Sequence, residues 1–249
     1  MGVADKIVKW IKEKVRQANC KGVVFGLSGG VDSSVVAVLC KKAFPKTHLA
    51  LVLPCFSLQK DLYHAELLTK KFKINYKIIN LENAFLEFCK ILQVDPKSKD
   101  LSVVNIKPRL RMITLYHYAN KLNYLVVGTS NKSELTMGYF TKYGDGGADI
   151  LPLGDLTKTE VYKLAEELEI PQEIISKPPS AGLWEGQTDE AEMGIKYKDL
   201  DEIIVALEKK QSLKKFDKKL VKKVLLKLKH SSHKLSPPPK FPNPHWKIK

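Results

Sequence analysis

Apolar positions recur along this chain with two different periods. Val3, Ile7, Ile11 and Val15 fall at helical spacing, and KGVVFGL after them is a near-continuous apolar run rich in β-branched residues, the mark of a buried strand. A glycine-rich turn leads into the apolar helix VVAVLCKKAF. The strand HLALVLP, a charged helix from about Asp61 to Lys71, the strand YKIINL and the helix LENAFLEFCKILQ follow in order. A further helix is expected from about Asn105 through RLRMITLYHYANKL, with Pro108 tolerated in its first turn, and YLVVGT reads as a fourth buried strand. This βαβα alternation with apolar strands predicts a parallel sheet covered by helices on both faces, an α/β doubly wound fold whose ligands lie at the carboxyl ends of the strands.

Beyond the fourth strand the pattern loosens. FTKYGDGGADILPLGDL is expected to be a long loop that ends where Thr157 and Glu160 form a capping box for the helix TEVYKLAEEL. KPPSAGLWEGQTDEAEMG reads as a second polar loop, and YKDLDEIIVALEKK returns to helix. In FDKKLVKKVLLKLK, Phe216, Leu220, Val221, Val224, Leu225 and Leu228 form one apolar stripe, predicting a docked surface helix. The chain closes on SPPPKFPNPHWKIK, which has no apolar period and is expected to be extended or disordered. We therefore expect one unit over residues 1–235 and a proline-rich basic tail over 236–249.

Composition changes this picture little. With 249 residues, 44% hydrophobic and 28% charged, the chain can bury a full core. No apolar stretch approaches the roughly 20 residues that span a bilayer, and the charged amphipathic start has no signal-peptide core, so a cytoplasmic protein is expected. Cys20, Cys40, Cys55 and Cys89 lack metal-ligand or CxxC spacing and read as free thiols. The net charge of +15 suggests nucleic acid until it is mapped: residues 209–249 hold 14 Lys against Asp217 alone, leaving only +2 for the rest. A solvated lysine face explains that best, attraction of a polyanionic substrate next, and a nucleic-acid groove least.

Candidate chemistry centres on SGGVDS, Ser28 to Ser33, between strand and helix. Gly29 and Gly30 allow close backbone approach, the helix start offers free N–H groups to an anion, and Ser28, Ser33 and Ser34 add hydroxyls. No lysine is present, so this is not the kinase or GTPase type of phosphate loop. Asp32 inside a phosphate cradle needs a bridging cation, which points to Mg²⁺.

On this loop the sequence resembles the ATP pyrophosphatases, which cleave ATP between its α- and β-phosphates and adenylate a substrate oxygen. Several of their families fit the loop, among them GMP, argininosuccinate and asparagine synthetases and tRNA-modifying enzymes. RLRM, VVGTSNKSE, FTKYGDGGAD, LPLGDLTKTEV and KPPSAGL, in that order, resemble bacterial and archaeal NAD synthetases over nearly the whole chain. The resemblance implies the adenine nucleotide alpha hydrolase-like fold and ATP-dependent amidation of deamido-NAD through an adenylate. It implies an ATP site made by Gly26, Leu27, Ser28, Gly29, Gly30, Val31, Asp32, Ser33, Thr129, Lys158 and Ser180, where many members have threonine in place of Ser180. Asp32 and Glu134 would hold Mg²⁺, and Asp32 and Lys158 would serve catalysis, Lys158 by stabilising charge on the departing pyrophosphate. Arg109, Lys142, Asp149, His233 and Lys234 would bind deamido-NAD, although Leu235 stands where many members have arginine.

Independently of any family, Arg109 and Arg111 are about 200° apart on a helix and cannot both aim at one site. Asp145 lies in a glycine turn and reads as turn chemistry. The resemblance further implies a homodimer with deamido-NAD across its interface. Ammonia is the expected nitrogen donor, because the glutamine-dependent relatives carry an added amidase domain for which this chain has no room. The alternative is a tRNA-modifying ATP pyrophosphatase that uses the basic C-terminal region for RNA; a nucleotide-binding module without catalysis would show damage to the loop acids, and there is none.

Overall fold

The computed structural model describes residues 2–184 and 186–241. Its centre is a four-stranded, all-parallel sheet in the order β3-β2-β1-β4, with β1 (Gly22–Gly26), β2 (His48–Val52), β3 (Tyr76–Ile78) and β4 (Tyr124–Val127). Alternation along the strands decides what each face meets. Val23, Phe25, Ala50 and Val52 face a core shared with α1 (Val3–Gln17), α2 (Val31–Ala43) and α8 (Lys158–Glu167). Val24, Leu49, Leu51 and Val126 face the other core, with α4 (Glu82–Ile91), α5 (Leu101–Val104) and α6 (Ile106–Leu122). Both faces are dry, which is why the strands read as continuous apolar runs, and the doubly wound α/β fold expected from sequence is the one observed.

The chain winds outward from β1 through α2 to β2 and through α3 (Gln59–Phe72) to β3, then returns to place β4 on the other side of β1. Between β1 and β4 the direction of winding reverses. A crevice opens at the carboxyl ends of two such strands, because the segments leaving them diverge to opposite faces. Phe25 pairs with Val127, so the turn after Gly26 and the segment Gly128–Ser130 leave the sheet side by side.

A smaller cluster is built by α7 (Lys132–Met137), α11 (Tyr197–Glu208) and α12 (Lys218–Leu235), around Met137, Tyr197, Leu200, Ile203 and Val224. Gly138 caps α7 with φ 61°, and the site of its missing Cβ is 2.1 Å from Ser231 Cβ on α12. A side chain there would push the two helices apart, and the positive φ would strain it as well.

Several local expectations need correction. Val224 is fully buried and Phe216, Leu220, Val221 and Leu228 pack with it, but Leu225 is 45% exposed and points away with Leu226. Residue 225 is one position on from Val224, about 100° round the helix, so it leaves the docked face. The second polar loop contains one short helix, α10 (Asp189–Met193), and another, α9 (Gln172–Ile175), precedes it. In the long glycine loop, Ile150 bridges Val127 in parallel and adds one rung to the sheet. The cysteines are free, with Cys40, Cys55 and Cys89 buried and Cys20 half-buried. Among the described residues no helix is long and apolar enough to cross a membrane. Residues 242–249 of the expected tail lie outside the described residues.

Candidate active site

The crevice at the β1–β4 switch point has a volume of about 500 Å³, ample for a nucleotide. Its floor is the Ser28–Ser33 turn. Gly29 adopts φ 79°, and the position of its absent Cβ is 2.3 Å from the Asp61 carbonyl oxygen, so only glycine fits between turn and α3. The serines brace the turn from within: the Ser33 and Ser34 hydroxyls each donate to the Gly30 carbonyl at 2.9 Å, and Ser33 Oγ accepts from Ser28 N at 3.2 Å. The helical ladder begins with Ser34 N to Gly30 O at 3.1 Å, so the N–H groups before it face the crevice at the positive end of α2. A pre-formed anion cradle results.

Directly above it, three charged side chains from distant parts of the chain meet. Lys158 Nζ lies 2.6 Å from Asp32 Oδ2 and 3.2 Å from Glu134 Oε1 and is almost fully buried. Asn131, fully buried, organises the pair of acids: its Nδ2 donates to Asp32 Oδ1 at 2.8 Å, and its Oδ1 accepts from Glu134 N at 3.0 Å. Glu134 Oε2 accepts in turn from Asn131 N at 3.2 Å, closing a capping box on α7. The ring of Tyr197 packs against the lysine, its centroid 5.0 Å from Lys158 Nζ.

Electrostatics make this cluster hungry for positive charge. Burial, opposed by Lys158 and reinforced by Asp32, pushes the Glu134 carboxyl up to about 8. Burial alone would lower Lys158, but the Asp32 and Glu134 charges outweigh it and hold the ammonium above its usual range. Asp32 Oδ2 and Glu134 Oε1 converge on the Lys158 ammonium, and two such oxygens, with Glu134 ionised, are a donor set that suits a hard divalent ion such as Mg²⁺. Among the described residues no group of three potential metal ligands occurs, so such an ion would complete its shell with water and phosphate oxygens, as Mg²⁺ at nucleotides commonly does.

The crevice brings together most of the residues singled out in the sequence. Gly26, Leu27, Ser28, Gly30, Val31, Asp32, Ser33, Thr129, Glu134, Lys158, Ser180 and Lys234 line it, while Gly29 supports the floor from below. Lys234 donates to the carbonyls of Gly138 and Phe140 at 2.8 and 2.9 Å. The other residues form an outer arc. Arg109 is exposed and its Nη2 donates to the Lys142 carbonyl at 3.4 Å, while Lys142 Nζ donates to the His233 carbonyl at 2.6 Å. Asp149 accepts from Val126 N at 2.8 Å and from the Tyr116 hydroxyl at 3.0 Å, so it fixes the glycine loop to β4 and α6.

Sequence reasoning passed over four residues here. Asn131 announces itself only as the first member of an N-x-x-E capping box. Arg111, 200° round from Arg109, is the arginine that lines the crevice, held by Nε to the Leu53 carbonyl at 3.1 Å. Asp145 does make the expected turn contact, accepting from Thr141 N at 2.9 Å, and also lines the crevice. Asp189 is 4% exposed; Tyr197 donates to its Oδ2 at 2.9 Å, while Oδ1 has no donor and the side chain lines the crevice. Burial, offset by Lys158, holds Asp189 above the usual carboxylate range.

The NAD synthase family model matches residues 3–238. The chain is 49% identical over 221 residues to the NH3-dependent NAD+ synthetase of Carboxydothermus hydrogenoformans, covering 88% of this chain and 91% of that one. Among solved structures, an NMN synthetase from Francisella tularensis superposes with a TM-score of 0.86 at 36% identity, over 98% of both chains. The NH3-dependent NAD synthetase of Campylobacter jejuni gives a TM-score of 0.82 at 33% identity, over 96% of this chain and 98% of that one.

Proposed function

This chain belongs to the NAD synthase family, and from that premise we propose that it amidates deamido-NAD to NAD with ammonia, consuming ATP and releasing AMP and pyrophosphate. The observation that carries the reading is the meeting of Lys158, Asp32 and Glu134 above a lysine-free phosphate turn at the strand switch point. That arrangement accepts a polyphosphate and a divalent cation together. The RNA-modifying alternative falls with family membership.

The residues divide the work by position. The free N–H groups at the start of α2 take the β- and γ-phosphates of ATP. Lys158 uses two of its three donors on Asp32 and Glu134, and the third is free for a phosphate oxygen. Asp32 and Glu134 would hold Mg²⁺, which when bound supplies charge stabilisation on the phosphate oxygens. Thr129 and Ser180, which line the crevice, bind ATP; Lys234 within the crevice and Arg109, Lys142, Asp149 and His233 along the outer arc bind deamido-NAD.

A nicotinate carboxylate oxygen attacks the α-phosphorus, the bond to the pyrophosphate oxygen breaks, and an acyl-adenylate forms. Ammonia then adds to the acyl carbon, loses a proton, and expels AMP, which keeps the carboxylate oxygen. No side-chain nucleophile is required, because adenylation has already made a good leaving group; catalysis is positioning and electrostatic stabilisation. The unpartnered Asp189 Oδ1 suits an N–H donor and would receive ammonium or the incoming nitrogen.

The protein works as a cytoplasmic homodimer in this account. Support comes from exposed apolar side chains on helices that cover one side of the sheet: Ile113 on α6 is 56% exposed and Ile91 on α4 is 67% exposed. Arg109 lies one helical turn before Ile113, so that face also carries a residue of the outer arc.

A second reading concerns substrate length alone. The superposition with an NMN synthetase favours testing nicotinate mononucleotide, which offers the same carboxylate without the second nucleotide. One experiment tests the chemistry for either substrate. With ¹⁸O in the nicotinate carboxylate, one label should appear in AMP; AMP without label, alongside amide formation, would sink the adenylate.

A further inference from the structure

The crevice must neutralise a polyphosphate, yet its phosphate turn contains no lysine. Five cations line it among the described residues: Arg111, Lys158, Lys177, Lys227 of α12 and Lys234. Lys158 is held by two acids, Arg111 by the Leu53 carbonyl, and Lys234 by the carbonyls of Gly138 and Phe140. Lys177 differs in its partner and its place. Its ammonium pairs with Asp61, the N3 residue of α3, whose own carbonyl is the group pressed against Gly29 of the phosphate turn.

Two side observations fix where that charge sits. His64, one turn along α3, is fully buried and its Cβ lies 3.2 Å from the position a Gly29 Cβ would take. Burial, and next the Lys177 charge, hold the His64 imidazole below its usual range, so the lysine charge is felt at the junction of α3 and the turn. The side chains of Lys177 and Asp61 are 18% and 13% exposed, and both line the crevice. The pair is sheltered and faces the cavity.

The loop after Lys177 has a tie to the body besides this pair: Lys107 Nζ donates to the Leu183 carbonyl at 2.8 Å. A lysine ammonium carries three donors, and Asp61 uses one. Asp61 meanwhile is stabilised in its own right in the first turn of α3, where the helix dipole favours an acid.

Resting on the ATP reading above, we propose that Lys177 is a further phosphate-binding residue, positioned by Asp61 at the flank of the Gly29 turn to contact the pyrophosphate portion of ATP. It supplies from the loop side the cation that the turn lacks.

The test is calorimetric binding of a non-hydrolysable ATP analogue, inorganic pyrophosphate and AMP to the full chain, wild type and Lys177→Met, with thermal unfolding to confirm folding. The proposal expects the analogue and pyrophosphate to weaken about ten- to a hundredfold, the worth of one charged hydrogen bond, with AMP within about twofold. Lys177→Arg should recover part of the loss. Asp61→Asn should weaken pyrophosphate by less than Lys177→Met does, since the ammonium remains. In turnover, KM for ATP should rise with KM for the nicotinate substrate unchanged. Equal losses for AMP and the ATP analogue would make Lys177 a strut of the loop, and unchanged binding would remove it from the site; either result overturns the proposal. If the wild type itself binds neither ATP analogue nor pyrophosphate, the reading of the crevice fails instead.

Discussion

Lys158 Nζ stands 2.6 Å from Asp32 Oδ2, across 126 residues of sequence, and the lysine is almost entirely out of solvent. A charge buried this way is fixed in place by its partners, and its partners by it. Lys158→Met should therefore do two things. Adenylation should fall by about 10²–10⁴-fold, the usual loss for one preorganised charge at a developing anion. Urea denaturation should show a loss on the order of 3 kcal/mol, because the sheltered Asp32 carboxylate loses its counter-charge and the Glu134 carboxyl loses its donor. Added Mg²⁺ should restore part of that stability in the variant and little in the wild type. Retention of full activity would mean that Lys158 is only structural.

Asn131 acts through the acids it holds. Asn131→Ala removes the cap of α7 and the donor on Asp32, and should cost about 1 kcal/mol of stability together with about tenfold in turnover. Asn131→Asp keeps an N-cap but sets a third carboxylate against Asp32. Stability measurements and kinetics on both variants separate the two roles: the aspartate variant should regain stability without regaining rate.

Glu134 sets a pH dependence. Its folded-state carboxyl is raised from 4.5 to about 8 by burial, against the lowering effect of Lys158. A group raised on folding favours the folded state while protonated. Its contribution is thus complete below about pH 4.5 and is lost as pH rises through about 8. Melting temperatures of ligand-free protein between pH 5 and 8.5 should fall more steeply for the wild type than for Glu134→Gln. Parallel curves would show that Glu134 titrates normally.

Much of the fold could be read in advance because both sheet faces are buried. Runs such as VVFGL and YLVVGT are legible when every position is apolar, and the reversal of winding then places SGGVDS beside GTSNKSE. Short elements were not legible: α5, α7, α9 and α10 have four to six residues, too few for a period to show. The acids Asp32 and Glu134 could be chosen by motif, but their sharing of Lys158 and Asn131 depends on contacts across the sheet. Asp189 carried no local signal at all, being one acid among several in TDEAE. Its unsatisfied Oδ1 exists only in three dimensions.

The exposed Ile113 gives a prediction about assembly. Wild-type protein should sediment as a dimer, and Ile113→Asp, by placing a charge on the exposed side of α6, should shift it toward monomer and raise KM for deamido-NAD. A wild-type monomer with normal kinetics would refute the shared-site arrangement.

The most direct test of the central claim is a single assay: purified protein with ATP, Mg²⁺, ammonium and deamido-NAD, with NAD and AMP both quantified. The account predicts the two products in equal amounts, with neither formed by Asp32→Asn of intact fold. AMP without NAD, or NAD formed at the wild-type rate by Asp32→Asn, would contradict it.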